Sequence, residues 1–399
     1  LPVPRPVIIV SDVHLGHRRC DDVARDLAGL VADHAGHEFI LNGDTFNLSC
    51  DRRDVDPGVS AAAMIAAHPA LRDALVRHTA AGDQLTIVAG NHDADVTAPS
   101  VSTALSAALG GNVSVEPWFV VRHGVHIEHG QLYDADNAPV HPLARPGYRT
   151  EPLGVALSRR FLGPYDAYDL GNRYDATPLG NVRELFRRFG WRAPLVVLHY
   201  CGILATINVE TLSARRLDRE RREGDAAVAA FCARCGVDAA AVRAILAARP
   251  GPTHTSAART FGRFDLDGAL ATLAIPGGVA AALATPLAGG AIAAAGLSYL
   301  LLSRQRRARR SANHMPEDLR AGAATVRRLT GARLVIFGHT HREDESDGYL
   351  NLGAFGDAPR PARTYVRIDE VGGVERRSIL NFKAPPAGTS VNPSYGTGA

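Results

Sequence analysis

The sequence predicts a layered α/β fold that carries a large, mainly helical insertion. Three observations predict it. Five apolar runs each close on polar, chemically useful residues: VIIVSDVH, EFILNGDTF, LTIVAGNHD, GVHIEHG and RLVIFGHTH. Helical stretches, DDVARDLAGLVADHAG and SAAAMIAAHPALRDALVRHTAAG, separate the first three runs. Between the fourth and fifth runs, residues 142–324 break the alternation altogether.

Each element follows from its pattern. Runs rich in Val and Ile, closed by a Gly-containing turn, read as strands buried in a sheet. Strand, helix, strand in succession is a βαβ arrangement, hence a layered fold. Ligands of such sheets gather outside the carboxyl ends of the strands, so five strands deliver polar groups to one rim. Arg-rich helical stretches, NVRELFRRFGW and RRLDRERREGDAAVAAF, open the insertion. From Gly268 to Ser303 no residue is charged, and RQRRARR follows at once. That segment is long enough to span a bilayer, yet it is rich in Ala and Gly and interrupted by Pro276, Gly277, Gly278, Pro286, Gly289 and Gly290. Two readings stand, a helical hairpin dipping into a membrane or helices packed within the lid. The basic run suits anionic headgroups. The α/β pattern resumes with TVRRLTGARLVIFGHTH, and YLNLGAFG and RTYVRIDE read as strands completing a sheet. The domain organisation is therefore a core of residues 1–141 and 325–384, an insertion of 142–324 over the rim as a lid, and a Pro-, Gly- and Ser-rich tail, 385–399.

Composition narrows the class. Of 399 residues, 46% are hydrophobic and 21% charged, with a net charge of +3. The core is ample, and no nucleic-acid partner is expected from so balanced a charge without a basic, aromatic-lined groove. Five cysteines are scattered. Cys232 and Cys235 form a lone CxxC without a second ligand pair, so they read as incidental thiols of a reducing compartment. LPVPRPVIIVSD enters its first strand at once with no signal-peptide pattern. The expectation is a cytoplasmic protein, peripheral on the inner face of the membrane if the apolar segment docks there.

The rim gathers Asp12 and His14 from DVH, Asp44 from NGD, Asn91 and His92 from GNHD, His129 before Gly130, and His339 and His341 from GHTH. Mixed carboxylate and imidazole donors suit Zn, Mn or Fe. There are too many for one tetrahedral ion, whereas two ions sharing Asp44 use them well. His199, in LVVLHYCG, also follows an apolar run, but His129 has the following Gly. His123 and His126 read as strand-surface or packing residues. His17, Arg18 and Arg342 adjoin the motifs and are candidate substrate contacts. Asp134, Asp136 and Asn137 line the mouth or form an Asx-stabilised turn.

DVH, GD, GNHD, HG and GHTH, in that order, resemble the calcineurin-like metallophosphoesterase family. The resemblance implies a β-sandwich flanked by helices and two metal ions, Mn, Fe or Zn. One ion is held by Asp12, His14, Asp44 and His341, the other by Asp44, Asn91, His129 and His339. It implies phosphoester hydrolysis by a metal-bridging hydroxide, with His92 binding no metal and aiding the leaving group. The substrate expected is a small or lipid-linked phosphoester. GHTHR and the lid also resemble the enzymes that cleave the pyrophosphate of UDP-2,3-diacylglucosamine, although those are shorter and differ at the third motif. One departure stands out. The family often carries an acid three positions after the GD aspartate, where this chain has Asn47, and Asp93 is the candidate replacement. The rival of another class is a scaffold, non-catalytic or docked on a membrane.

Overall fold

The structure, a computed structural model, describes residues 5–16, 20–50, 55–165, 178–211, 214–263, 266–311, 314–356, 362–369 and 372–380. The tail expected at 385–399, and His17 and Arg18, lie outside the described residues.

Two sheets stack face to face. The first contains β1 (Val7–Val10), β2 (Glu38–Asn42), β3 (Leu85–Val88) and β4 (Val113–Glu116), all parallel. The second contains β5 (Phe119–Arg122), β6 (Val125–Glu128), β7 (Leu334–Phe337), β8 (Glu343–Ser346) and β9 (Tyr349–Leu352). β10 (Ala362–Ile368) returns antiparallel to β1 in the first sheet, and β11 (Val374–Leu380) closes that edge. Of the two stretches expected to complete a sheet, YLNLGAFG thus joins the second and RTYVRIDE the first.

Period-two alternation builds the layers. Val7, Ile9 and Ile40 of the first sheet meet Ile127, Ile336 and Leu350 of the second in one apolar cluster. Their neighbours Ile8, Val10, Phe39 and Leu41 face the other way, into a cluster with the first sheet's helices. That is why the runs are apolar at every position: strands covered on both faces have no polar side. Helix α1 (Asp21–Asp33) buries Val23, Ala24, Leu27, Leu30 and Val31, a stripe at helical spacing. Helix α2 (Pro57–Ala66) starts where the Asp56 carboxylate accepts the amides of Gly58 and Val59, with Pro57 in its first turn. α3 (Pro69–Ala80) and α4 (Pro99–Leu109) complete that layer. The sheets are also tied by polar bonds. Arg122 of β5 donates from Nε and Nη2 to the Glu38 carboxylate of β2, both at 2.8 Å. The Asn42 amide donates to the Glu128 carbonyl at 2.9 Å.

Three groups stand out among the described residues of the insertion. Helices Ala214–Cys235 and Ala239–Ala248 pack with Met315–Thr330 against the outer face of the second sheet. There Val228, Phe231, Val242 and Ile245 share a cluster with Trp118, Phe119, Phe337 and Tyr349. These helices are the fourth layer of the sandwich, not a lid. Residues 139–165 and helix Ala193–Thr211 border the rim, with a small core of their own around Phe161, Val196 and Ile207. Helices Leu266–Ala282 and Pro286–Ser311 form a hairpin packed chiefly on itself.

The CxxC cysteines lie on helix Ala214–Cys235 as free thiols, and burial raises the pKa of both.

Candidate metal centre

All the motif residues stand just past the carboxyl ends of parallel strands. Asp12 and His14 follow β1, Asp44 follows β2, Asn91 and His92 follow β3, His129 follows β6, and His339 and His341 follow β7. The loops are laced to one another through their backbones. Asp12 N donates to Gly43 O at 3.1 Å, His14 N to Asp44 O at 2.8 Å, and Gly338 N to His129 O at 2.9 Å. Asp12, His14, Asp44, His339 and His341 all have left-handed backbones, with φ from +50° to +70°. For residues with a Cβ this conformation is strained and needs outside support. Its concentration in five site residues marks the rim as a place where geometry outranks backbone comfort.

The side chains converge. His14 Nε2 lies 3.2 Å from His341 Nε2 and 4.0 Å from Asp12 Oδ1, and His341 Nε2 lies 3.3 Å from the same oxygen. His129 Nε2 lies 3.2 Å from Asp44 Oδ2 and 3.1 Å from Asn91 Oδ1. Asp44 Oδ2 is also 4.0 Å from His14 Nε2, so this one oxygen faces both groups. Two sets, Asp12–His14–His341 and Asp12–Asp44–His129, are compact enough to hold an ion. His339 stands beside His129, ring centroids 5.2 Å apart.

The other ring nitrogens fix the donors. His14 Nδ1 donates to Asn47 Oδ1 at 2.9 Å, which orients the ring with Nε2 toward Asp12 and His341. His129 Nδ1 donates to the Asn42 carbonyl at 3.1 Å. His339 Nε2 donates to Asp134 Oδ2 at 2.9 Å, leaving Nδ1 as its free atom. The Asn91 amide nitrogen approaches Asn137 Oδ1 at 3.4 Å, which turns Asn91 Oδ1 toward His129.

Electrostatics favour a cation. Burial opposes ionisation of Asp12, but the His129 and His341 imidazoles outweigh it and hold the carboxyl at about 2. Asp44 is likewise held well below the usual carboxylate range against its burial, by His129, His92 and His14. Burial also opposes charge on His129, yet Asp44 and Asp12 raise its pKa to about 9. His129 is thus drawn toward a positive charge between Asp44 and Asn91, the charge a metal ion would supply there. Asp12 Oδ1 is buried with no hydrogen-bond partner while two imidazole nitrogens face it. Lone pairs gathered in this way repel unless positive charge sits among them, so the residues fit a metal.

His92 stands apart from the donors. Its amide donates to Asp44 Oδ1 at 2.8 Å, and its Nδ1 pairs with Ser49 Oγ at 2.7 Å. Burial pushes its pKa down to about 4; Asp44 pulls the other way, and His14, His341 and His339 add to the fall. The resting side chain is neutral at pH 7. Asp93 does not replace the acid absent at position 47. Its carboxylate accepts the amides of Asp44, Thr45, Phe46 and Gly90, clamping two loops together, and burial beside Asp44 raises its pKa to about 7.

Other expected contacts fall differently. Asp134 serves His339 rather than the cavity. Burial works against its charge, but bonds from His339, Asn137 and the Asp136 amide hold its pKa down. Asp136 pairs with Arg263 at 2.5 Å. Arg342 is exposed on the turn before β8 and does not line the cavity described below. His199 sits on helix Ala193–Thr211, paired with Tyr165. His126 is buried against Glu128 at 2.7 Å, and His123 turns the β5–β6 hairpin. The supporting residues Asn42, Ser49 and Arg159 carry no signal in the sequence, because each reaches its partner only when distant segments meet in space; Asn47 stood out only as a missing acid.

Beside His92 opens a cavity of about 400 Å³. The core contributes Ser49, Asn91 and His92, and the insertion contributes Glu151, Arg159 and Arg216. Arg159 Nε donates to the Ser49 carbonyl at 2.7 Å and Nη1 pairs with Glu151 at 3.0 Å. The insertion thus touches the residue that holds His92.

Sandwich and rim together define a metal-dependent hydrolase. The family model for calcineurin-like phosphoesterases matches residues 5–239, and the chain belongs to that family. Its members' shared activity is metal-dependent phosphoester hydrolysis. Among curated proteins no match to the chain is found.

Proposed function

We propose that the protein hydrolyses a small or lipid-linked phosphoester whose leaving group lies in the cavity beside His92. The observation that carries this reading is the juxtaposition of the carboxylate–imidazole cluster, His92 and a cavity of about 400 Å³ on one rim. Asp12, His14, Asp44 and His341 would hold one ion, and Asp44, Asn91, His129 and His339 a second. Such a pair draws in phosphate and lowers the pKa of the attacking water.

The chain's own residues supply the rest. With Ser49 donating to His92 Nδ1, the proton of the neutral ring would sit on Nε2. From there His92 offers a hydrogen bond to the phosphoryl or leaving oxygen. Negative charge arriving with the phosphate raises the His92 pKa and favours its cationic, proton-donating form. Arg159 and Arg216 supply positive charge at the wall, beside the apolar side chains of Val155 and Ile207. That mixture suits a substrate with an anionic and an apolar part, and it supports pyrophosphate cleavage as the second reading.

The test is hydrolysis of p-nitrophenyl phosphate, bis-p-nitrophenyl phosphate and a nucleoside diphosphate sugar in Mn²⁺, with metal content measured on each protein. Asp44→Asn is expected to lose both metal and turnover. His92→Ala is expected to keep metal and lose about 10²–10⁴ in turnover. A His92→Ala protein without metal overturns the role given to His92. A metal-loaded wild type inert to all three esters favours the scaffold.

A further inference from the structure

The hairpin of Leu266–Ala282 and Pro286–Ser311 is built inside out for water. Its helices run antiparallel and meet through small residues seven apart: Ala271 and Gly278 on one, Gly289, Gly296 and Ser303 on the other. The backbones touch. A Cβ on Gly278 would lie 2.7 Å from Gly289 O, and one on Gly296 would lie 2.7 Å from Ala271 O. Among the described side chains Ile275 reaches toward Gly296, while the leucines nearer the tip point outward. Leu283 is 91% exposed, Leu287 92% and Leu302 86%, with Val279, Leu297 and Leu301 also exposed. A soluble hairpin gains stability by burying its leucines and showing its small or polar residues. Close packing of small residues with leucines outside is the arrangement of helices in lipid, where the tails are as apolar as the side chains.

Several polar groups of the hairpin are satisfied from within. At its tip the amides of Leu283, Ala284, Thr285 and Gly289 donate to carbonyls of the hairpin itself, and Pro286 has no amide to satisfy. The hydroxyls of Thr285 and Ser303 donate to Ala281 O and Tyr299 O. Hydrocarbon demands this internal satisfaction. The segment Pro286–Ser303 has a mean hydropathy of 1.5. Its 18 residues rise about 27 Å at helical pitch, close to the hydrocarbon thickness of about 30 Å. The same helix then runs into RQRRARR where it returns to the body of the protein. Arginines at the root and leucines at the tip match anionic headgroups over hydrocarbon. Helix Ala193–Thr211, which touches helix Ala257–Arg263 at that root, adds exposed Leu195 and Leu198, with exposed Trp191 just before it.

We infer that this hairpin is a membrane anchor that inserts tip-first into a bilayer bearing anionic headgroups. The inference stands apart from the phosphoester reading, since none of its residues belongs to the rim. It also gives a lipid-linked substrate a route to the enzyme that needs no carrier.

Full-length protein is floated through a density gradient with vesicles of phosphatidylcholine, alone or mixed with phosphatidylglycerol. The wild type is expected to float with the mixed vesicles, and less so as salt rises. Leu283→Asp with Leu287→Asp is expected to cut the floated fraction by at least about tenfold. Its circular dichroism, melting and aryl phosphate turnover are expected to match the wild type. In a second measurement, the added fluorescence of Leu287→Trp shifts to the blue with vesicles and is quenched by brominated acyl chains. A wild type that stays down with both vesicles, or a double variant that floats equally, overturns the anchor. So does a wild type that self-associates through the leucines and ignores vesicles, since a second copy would then cover them.

Discussion

Asn47 and Ser49 share one loop and serve different histidines. Asn47 takes the Nδ1 proton of His14, while Ser49 holds Nδ1 of His92. Their substitutions are therefore expected to separate. Asn47→Ala frees His14 to rotate, and Mn²⁺ affinity is expected to fall about 10–100-fold. Ser49→Ala leaves the donors alone and loosens only His92, so kcat is expected to fall about tenfold with Mn²⁺ affinity unchanged. Metal titration and steady-state turnover on both variants check the split, and equal losses of affinity would sink it. The sequence displayed the candidate donors because Asp, His and Asn recur after five apolar runs in one order. It hid Ser49 and the role of Asn47 because an amide and a hydroxyl in a polar loop look the same whether or not they hold a ring.

At the scale of elements, the rim depends on loops that leave their strands in a left-handed turn and press together without side chains between them. Gly90 shows how little room remains. A Cβ there would lie 2.2 Å from Asp44 Oδ1 and 2.4 Å from Asp44 N. Both are anchored, by His92 N and by Asp93. Gly90→Ala is expected to destabilise the fold by about 1–3 kcal/mol and to abolish metal binding. Gly111→Ala, with nothing within 4 Å and no positive φ, is the control expected to stay within about 0.5 kcal/mol. Urea melts of the two variants decide the point. The strands were readable because burial on both faces leaves an unbroken apolar run. The sequence does not place the helices of residues 214–248 in the sandwich, since an amphipathic helix does not announce which sheet it covers.

Across the whole molecule, the fourth layer is fastened by a buried polar cluster. Glu220, on helix Ala214–Cys235, accepts the amide and hydroxyl of Thr150, both at 2.7 Å, and the amide of His141 at 3.2 Å. His254 Nε2 reaches the same hydroxyl at 3.1 Å. Gly224 gives His141 its place, since a Cβ there would lie 2.0 Å from His141 Nδ1. Burial, with Arg249 nearby, lowers the pKa of both His141 and His254 to about 4. Below its ordinary pKa each histidine takes up a proton in the unfolded chain but not in the folded one. Stability is therefore expected to fall as pH drops from 6.5 toward 4, by about 2 kcal/mol per histidine at pH 5. Glu220 acts in the opposite sense, because burial raises its pKa and its protonation at low pH favours the folded state. Melting temperatures from pH 7 to 5 test this. His254→Asn is expected to melt with a shallower pH slope, and an unchanged slope would show that His254 is not a source of it.

The sequence by itself determined the layered α/β class, the rim and the order of its donors. Each rests on local pattern: apolar periodicity, Gly turns, and the recurrence of Asp, His and Asn at strand ends. Tertiary structure alone decided that Asp134 serves His339, that Asp93 clamps backbone instead of tuning His92, and that Arg159 ties the insertion to Ser49. It also decided that residues 142–324 are partly a structural layer, partly a wall of the cavity and partly an exposed hairpin. These depend on which distant segments touch, and such long-range contact is set by packing of the whole rather than by any run of it.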